Sequence, residues 1–209
     1  IPGVVNRHTQ AAMSLMRGLA DDRPLMAWLQ DHVWPVESKH VSPEFVHDGT
    51  LLACAEMLRG GVTCFNDMYF FPEAAARAGL ASGIRASIGL IAVEFPSAYA
   101  SDAEDYLAKG LALRDRLGGE ARLSFCMAPH APYTVSDRTF ARIATLAEEL
   151  DLPVHLHLHE TEDEVRASMA AHGRRPLERL AALGLVSPRL VGVHAVHLTE
   201  AEIAAGSEE

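Results

Sequence analysis

Six times along these 209 residues, a short run of β-branched and apolar residues is followed by a longer stretch of helical period. The runs fall at 3–8, 62–70, 85–92, 122–130, 153–160 and 190–197. Such alternation predicts a parallel sheet, because two parallel neighbours need a long crossover and a helix is its usual form. The helical stretches carry their own start signals. Ser42-Pro43-Glu44 sets a capping hydroxyl before a proline at the first helical position, and Leu51, Leu52, Ala55, Met57 and Leu58 supply the apolar residues. Further helices are predicted over 71–81, 103–117 and 137–150, the last capped by Ser136, with one or two pieces across 162–183 around Gly173 and Pro176. Thr199-x-x-Glu202 is a capping box that opens another.

An open doubly wound sheet and a (β/α) barrel both fit this pattern. No G-x-G-x-x-G or G-x-x-x-x-G-K-[ST] loop is present, which removes the usual support for the nucleotide-binding open sheet. His8, Asp67, His130, His157 and His194 each fall near the C-terminal end of a different run. In a barrel those ends converge on one face, where active sites are built. The expectation is therefore a (β/α)8 TIM barrel with about six of its eight β/α units inside residues 1–209. The chain opens at Ile1-Pro2-Gly3 without a methionine and stops within a helical pattern, so a fragment of a longer protein is expected.

Hydrophobic residues make up 49% and charged residues 22%, a balance that argues against disorder. The formal net charge of −10 disfavours nucleic acid and anionic membrane as partners. No apolar run approaches the roughly 18–20 residues of a membrane span. Cys54, Cys64 and Cys126 are odd in number and lack C-x-x-C spacing, which points to a reducing, cytoplasmic setting. A homo-oligomer is left open.

The histidines carry the chemical signal. In V-H-L-H-L-H-E-T, residues 154–161, period-two alternation puts His155, His157 and His159 on one face, with Leu156 and Leu158 on the other beneath the helices. Neutral imidazole is a common metal ligand, and alternating histidines present several. In N-R-H-T-Q, residues 6–10, an H-x-H pair would form a two-ligand clamp, but the second position is Gln10. Two prolines in A-P-H-A-P-Y, residues 128–133, stiffen the backbone around His130. In V-H-A-V-H, residues 193–197, His194 falls near a strand end and His197 leads toward the helix cap. Taken singly, each of these histidines also reads as a hydrogen-bonded turn or core residue.

In combination, P-G-x-V-N-x-H-T, L-R-G-G-V-T-C-F-N-D-M-Y-F, P-H-A-P-Y, H-L-H-E-T and V-H-A-V-H-L-T resemble the amidohydrolase superfamily. Within it the likeness is to 5-methylthioadenosine/S-adenosylhomocysteine deaminases and their chlorohydrolase relatives, in order from Pro2 to about Ile203. The resemblance implies a (β/α)8 barrel with a small β-sandwich built from both chain ends, segments that lie outside residues 1–209. It also implies one divalent metal ion, zinc or alternatively iron, and a small-molecule nucleoside substrate. By motif, His8 matches the first metal ligand, Gln10 stands at the second, and His157 matches the strand-five ligand. Glu160 matches the carboxylate that shuttles a proton to the ring nitrogen. His194 matches the strand-six histidine that bonds the water or substrate. His130 and Glu37, the latter in W-P-V-E, match substrate contacts, with Glu37 on the ribose hydroxyls.

The implied reaction suits these residue types, since a divalent ion lowers the pKa of bound water from 15.7 to about 7. Hydroxide then attacks the amine-bearing ring carbon while the adjacent nitrogen is protonated, and ammonia leaves. Two departures bear on activity. Gln10 offers a neutral amide oxygen in place of imidazole, a weaker donor for zinc. The strand-eight aspartate, which the resemblance makes both ligand and base, lies beyond Glu209. The complete parent is expected to be a deaminase and the 209-residue chain alone inactive or nearly so. Alternatives are a chlorohydrolase, another aminopurine or pterin deaminase, and a nucleoside-binding relative without turnover.

Overall fold

The computed structural model describes residues 2–207, and side chains as far as residue 204. The chain divides into two compact units, Ile1–Ile91 with Pro96–Phe125, and Ala92–Phe95 with Cys126–Glu209.

In the first unit β1 (Val4–Thr9) pairs in parallel with β2 (Val62–Asp67), and β2 with β3 (Arg85–Ala92). Between β1 and β2 lie a 3-10 turn (Ala11–Met16), α1 (Leu25–Trp28), a π turn (Leu29–Val33), α2 (Trp34–His40) and α3 (Pro43–Arg59). The sequence pattern predicts only the last of these. The 3-10 turn is a short piece, whereas α1, the π turn and α2 run without a break from Leu25 to His40, a helix whose period the π turn interrupts. Helix α3 begins as its sequence predicts, with the Ser42 hydroxyl accepting from the Phe45 N–H and Pro43 in the first turn. It passes close over the 3-10 turn, because Gly49 carries no Cβ that would meet the Ala12 carbonyl at 2.5 Å.

Helix α4 (Pro72–Ser82) turns a face of small residues, Ala74, Ala75, Ala76 and Ala78, into the core beside Phe65. It ends at Gly83, whose φ of 77° is the left-handed turn that glycine adopts at no steric cost. Helix α5 (Ala103–Leu117) starts where Asp102 accepts from the Asp105 N–H. Its buried Tyr106 joins Phe65, Met68, Ile84, Ile88 and Leu90 in the core.

The second unit is built on β4 (Leu123–Pro129), whose first residues belong to the first unit, followed by β5 (Val154–Leu158) and β6 (Leu190–His194). β5 is parallel to both β4 and β6 and buried along its whole length. Helix α6 (Asp137–Glu149), capped by Ser136, buries Phe140, Ile143, Leu146 and Ala147 at helical spacing. Helices α7 (Glu162–His172) and α8 (Pro176–Ala182) fill the β5–β6 crossover, and α9 (Glu200–Ser207) follows β6.

The expected β/α alternation and parallel pairing are present, with strand neighbours in chain order. Three strands end sooner than their apolar runs suggest. β2 stops at Asp67, β5 at Leu158 and β6 at His194. The cause at the last two is backbone: His159, His194 and Ala195 adopt φ of 53°, 70° and 53°, a left-handed turn that halts an extended chain.

Candidate active site

In the second unit the strand-end histidines gather as expected, but not all three from β5. The Nδ1–H of His157 donates to the main-chain carbonyl of His130 at 2.8 Å. The His130 ring lies 4.8 Å from that of His157 between centroids, and the His194 ring stacks on the other at 5.3 Å and 19°. Burial pushes His157 down to about 4, with the neighbouring His194 adding to the effect, so its ring is neutral at pH 7. A neutral ring whose Nδ1 carries the proton has its lone pair on Nε2. Burial also lowers His194. The Nε2 of His194 lies 3.4 Å from Oε1 of Glu160, whose carboxyl burial raises above the ordinary glutamate range.

His159 is the exception to the period-two face. Its left-handed backbone takes it off the strand, and it is fully buried against the start of α8, where Nε2 accepts from the Leu177 N–H at 3.1 Å. Around it Arg175 donates to both oxygens of Glu202 and to the His197 carbonyl. His159 and His197 are thus framework around the β6–α9 connection. His155 is likewise fully buried, deeper along β5, and burial takes it down to about 4.

Two residues without an assigned role in the sequence hold Glu160 and His130 in place. Thr161 caps α7 and Glu164 answers it, a capping box legible as T-E-D-E. The buried Glu164 carboxylate accepts from the His159 N–H at 2.9 Å through one oxygen and from the Glu160 N–H at 2.8 Å through the other. Arg179 of α8, 4% exposed, donates to the carbonyls of Pro132 and Val135 and to Asp137, and lies over the Phe140 ring. It pins the loop after β4, within which the Thr134 hydroxyl meets His130 Nδ1 at 3.0 Å. Nothing in P-L-E-R, residues 176–179, signals that role. A cleft of about 730 Å³ opens beside this loop, with Phe95, Tyr133, Val135 and Arg138 among its walls.

The first unit carries the remaining candidates. His8 lies on β1 and Gln10 directly after it. Asp67, buried at the end of β2, accepts through one oxygen from the Thr9 hydroxyl and the Ala11 N–H, each at 2.8 Å, and so ties the Thr9 side chain and the Ala11 backbone on either side of Gln10. Burial pushes its carboxyl up to about 6 against the pull of those two donors. Glu37 lies in the first turn of α2 and accepts from the Tyr69 hydroxyl at 2.7 Å. Burial lifts its carboxyl to about 7, with the Tyr69 bond opposing that rise.

The amidohydrolase family model matches residues 1–208. A 5-methylthioadenosine/S-adenosylhomocysteine deaminase of Saccharophagus degradans is 53% identical over 204 residues, 98% of this chain and 46% of that protein. One from Teredinibacter turnerae is 48% identical over 200 residues, 96% of this chain and 45% of that protein. The crystal structure of an adenosine deaminase from Xanthomonas campestris with bound zinc superposes with a TM-score of 0.96 at 53% identity, over 99% of this chain and 47% of that one. The chain spans about half the length of the curated relatives it matches. Its fold is accordingly that of the TIM-barrel hydrolases, with six β/α units present. No helix among the described residues is long and apolar enough to cross a membrane.

Proposed function

The chain belongs to the amidohydrolase family, and from that premise we propose that it supplies six β/α units of the catalytic barrel of a hydrolytic deaminase. The substrates are adenine nucleosides of the 5-methylthioadenosine and S-adenosylhomocysteine kind. Further β/α units and a small β-sandwich belong to the rest of the parent protein. The observation that carries the reading is the hydrogen bond from His157 Nδ1 to the His130 carbonyl, which places the ring proton on Nδ1 and so gives Nε2 the lone pair that a metal ion would need.

The donor set suits one divalent ion. Neutral imidazole favours zinc over harder cations, and His157 of the second unit is held neutral. By the motifs of the sequence, His8 and His157 would serve as ligands and the Gln10 amide oxygen as a weaker third, and His194 would face the water and substrate. Iron is the alternative ion. When bound, the ion supplies a water whose pKa falls from 15.7 to about 7.

The chain's own groups do the rest. Glu160, held protonated more readily by its burial, gives a proton to the adenine ring nitrogen next to the amine-bearing carbon. The water oxygen ends on that carbon as a carbonyl; of the two water protons one restores Glu160 and the other passes to the amine, whose bond to the carbon breaks as ammonia leaves. His194, beside Glu160, orients the water and stabilises developing charge. His130 contacts the base or its substituent, and Glu37 accepts from the ribose hydroxyls. The free thiols of Cys54, Cys64 and Cys126 accord with a cytoplasmic protein.

The test is ammonia release from adenosine, 5-methylthioadenosine and S-adenosylhomocysteine by the full-length parent with stoichiometric zinc. Turnover of at least one is expected, and release from none would overturn the proposal. The 209-residue chain assayed alone should be inactive or nearly so; an enzyme-like rate from it would refute the need for the remaining units.

A further inference from the structure

Glu37 is a carboxylate in an unusual position. It is half-buried on a helix, and among the described residues no cation stands beside its carboxyl and its one hydrogen-bond partner is the Tyr69 hydroxyl. That bond engages Oε1 alone. A carboxylate has roughly four lone-pair directions, so Oε2 and the rest of Oε1 remain for donors brought from outside the protein.

Tyr69 is itself immobilised. It is 3% exposed, its ring lies 5.4 Å from that of Phe70, and Phe70 in turn lies 6.3 Å from the buried Tyr106. The segment leading to it is anchored on β1, with the Met68 N–H donating to the Thr9 carbonyl and Asp67 clamping Thr9 and Ala11. A rigid phenol that fixes one oxygen of a flexible glutamate sets the direction of the other.

We propose that Tyr69 is a positioning residue that aims the free oxygen of Glu37 at a vicinal diol, and thereby sets the preference of the site for nucleosides with both ribose hydroxyls over 2′,3′-dideoxy ones. The inference rests on the proposed contact between Glu37 and the ribose. It extends that contact by naming what orients the carboxylate. A hydroxyl donated to Glu37 also favours the ionised form, the form that accepts from two ribose O–H groups. The other titratable neighbours are Asp67, whose field acts on Tyr69, and Tyr106, on which Glu37 acts.

The test is Tyr69→Phe in the full-length parent, a change that keeps the ring and removes only the donor. KM for adenosine should rise roughly tenfold, as for loss of a hydrogen bond to a charged group, with the effect concentrated in KM rather than kcat. KM for 2′,3′-dideoxyadenosine should be equal in the two proteins. An equal ratio of the two KM values in parent and variant would overturn the role of Tyr69. An absence of turnover in the parent itself would instead sink the deaminase reading. Tyr69 is then decided by carbon NMR titration of the Glu37 carboxyl, which should move to higher pH in Tyr69→Phe. An unmoved titration refutes the positioning role whatever the enzyme does.

Discussion

The Nδ1–H of His157 is bound to the main-chain carbonyl of His130, so one candidate residue sets the tautomer of another without using its own side chain. This separates two functions that sit side by side. His157→Ala should abolish stoichiometric zinc in the full-length parent, because it deletes a proposed nitrogen ligand. His130→Ala keeps the carbonyl, so zinc content should stay near that of the parent while KM for nucleoside rises. Elemental analysis of both variants checks the split; zinc lost equally from both would place His130 among the ligands.

Gln10 lies between the Thr9 side chain and the Ala11 backbone, both tied to Asp67, which makes it a well-defined place to test donor chemistry. Gln10→His replaces a neutral amide oxygen by imidazole at an H-x-H spacing suited to zinc. Zinc affinity of the parent should rise by about tenfold or more, the equivalent of ~1.4 kcal/mol. Competition with a chromophoric chelator measures it, and an unchanged affinity would remove Gln10 from the ligand set.

Arg179 separates buried from exposed electrostatics within one side chain. Its guanidinium satisfies the carbonyls of Pro132 and Val135, while its partner Asp137 is half exposed. Arg179→Ala strands those carbonyls and should cost about 2–4 kcal/mol in urea unfolding, at roughly 1–3 kcal/mol per unsatisfied buried group. Asp137→Ala should cost below about 1 kcal/mol, as exposed ion pairs do. Similar losses from the two would mean that the ion pair, and not the loop, is what Arg179 supports.

Glu37 predicts a pH dependence whose sign follows from burial. Its folded pKa of about 7 lies above the ordinary 4.5, so the native state holds the proton more tightly than the unfolded chain. Its contribution is most favourable below pH 4.5 and is lost as pH rises toward 7, where the buried charge costs up to roughly 3 kcal/mol. Glu37→Gln should therefore stabilise the protein at pH 8 and have little effect at pH 4.5. Thermal unfolding at the two pH values checks this, and equal effects at both would contradict the burial argument.

How much of this is legible in the sequence depends on what local rules can carry. The alternation of runs and helices, the caps at Ser42 and Ser136 and the strand-end histidines were readable because periodicity and capping are local signals. The ends of β5 and β6 were not, since left-handed turns at His159 and His194 are set by what their N–H groups and side chains meet. Period-two reasoning therefore placed His159 on the strand face, whereas it is buried in the framework below α8. Arg179, Asp67 and Tyr69 act on residues 42 to 47, 56 to 58 and 32 positions away, distances over which a single sequence carries no pairing signal.

Glu164 ties a helix cap to the peptide that carries the proposed proton shuttle. Both its oxygens are spent on main-chain N–H groups, one at His159 and one at Glu160, so its carboxylate orients the peptide that carries the proposed proton shuttle. Glu164→Gln keeps one acceptor oxygen and turns the other position into a donor facing an N–H. That mismatch should displace Glu160 and lower kcat of the parent by roughly 10- to 100-fold, in line with losing positioned general acid–base catalysis in part. Thr161→Ala removes only the hydroxyl of the cap and should cost about 1 kcal/mol of stability with a small change in kcat. If the two variants lose stability and kcat in the same proportion, the capping box is structural alone. A fall in kcat confined to Glu164→Gln would tie the shape of this turn to the chemistry of Glu160.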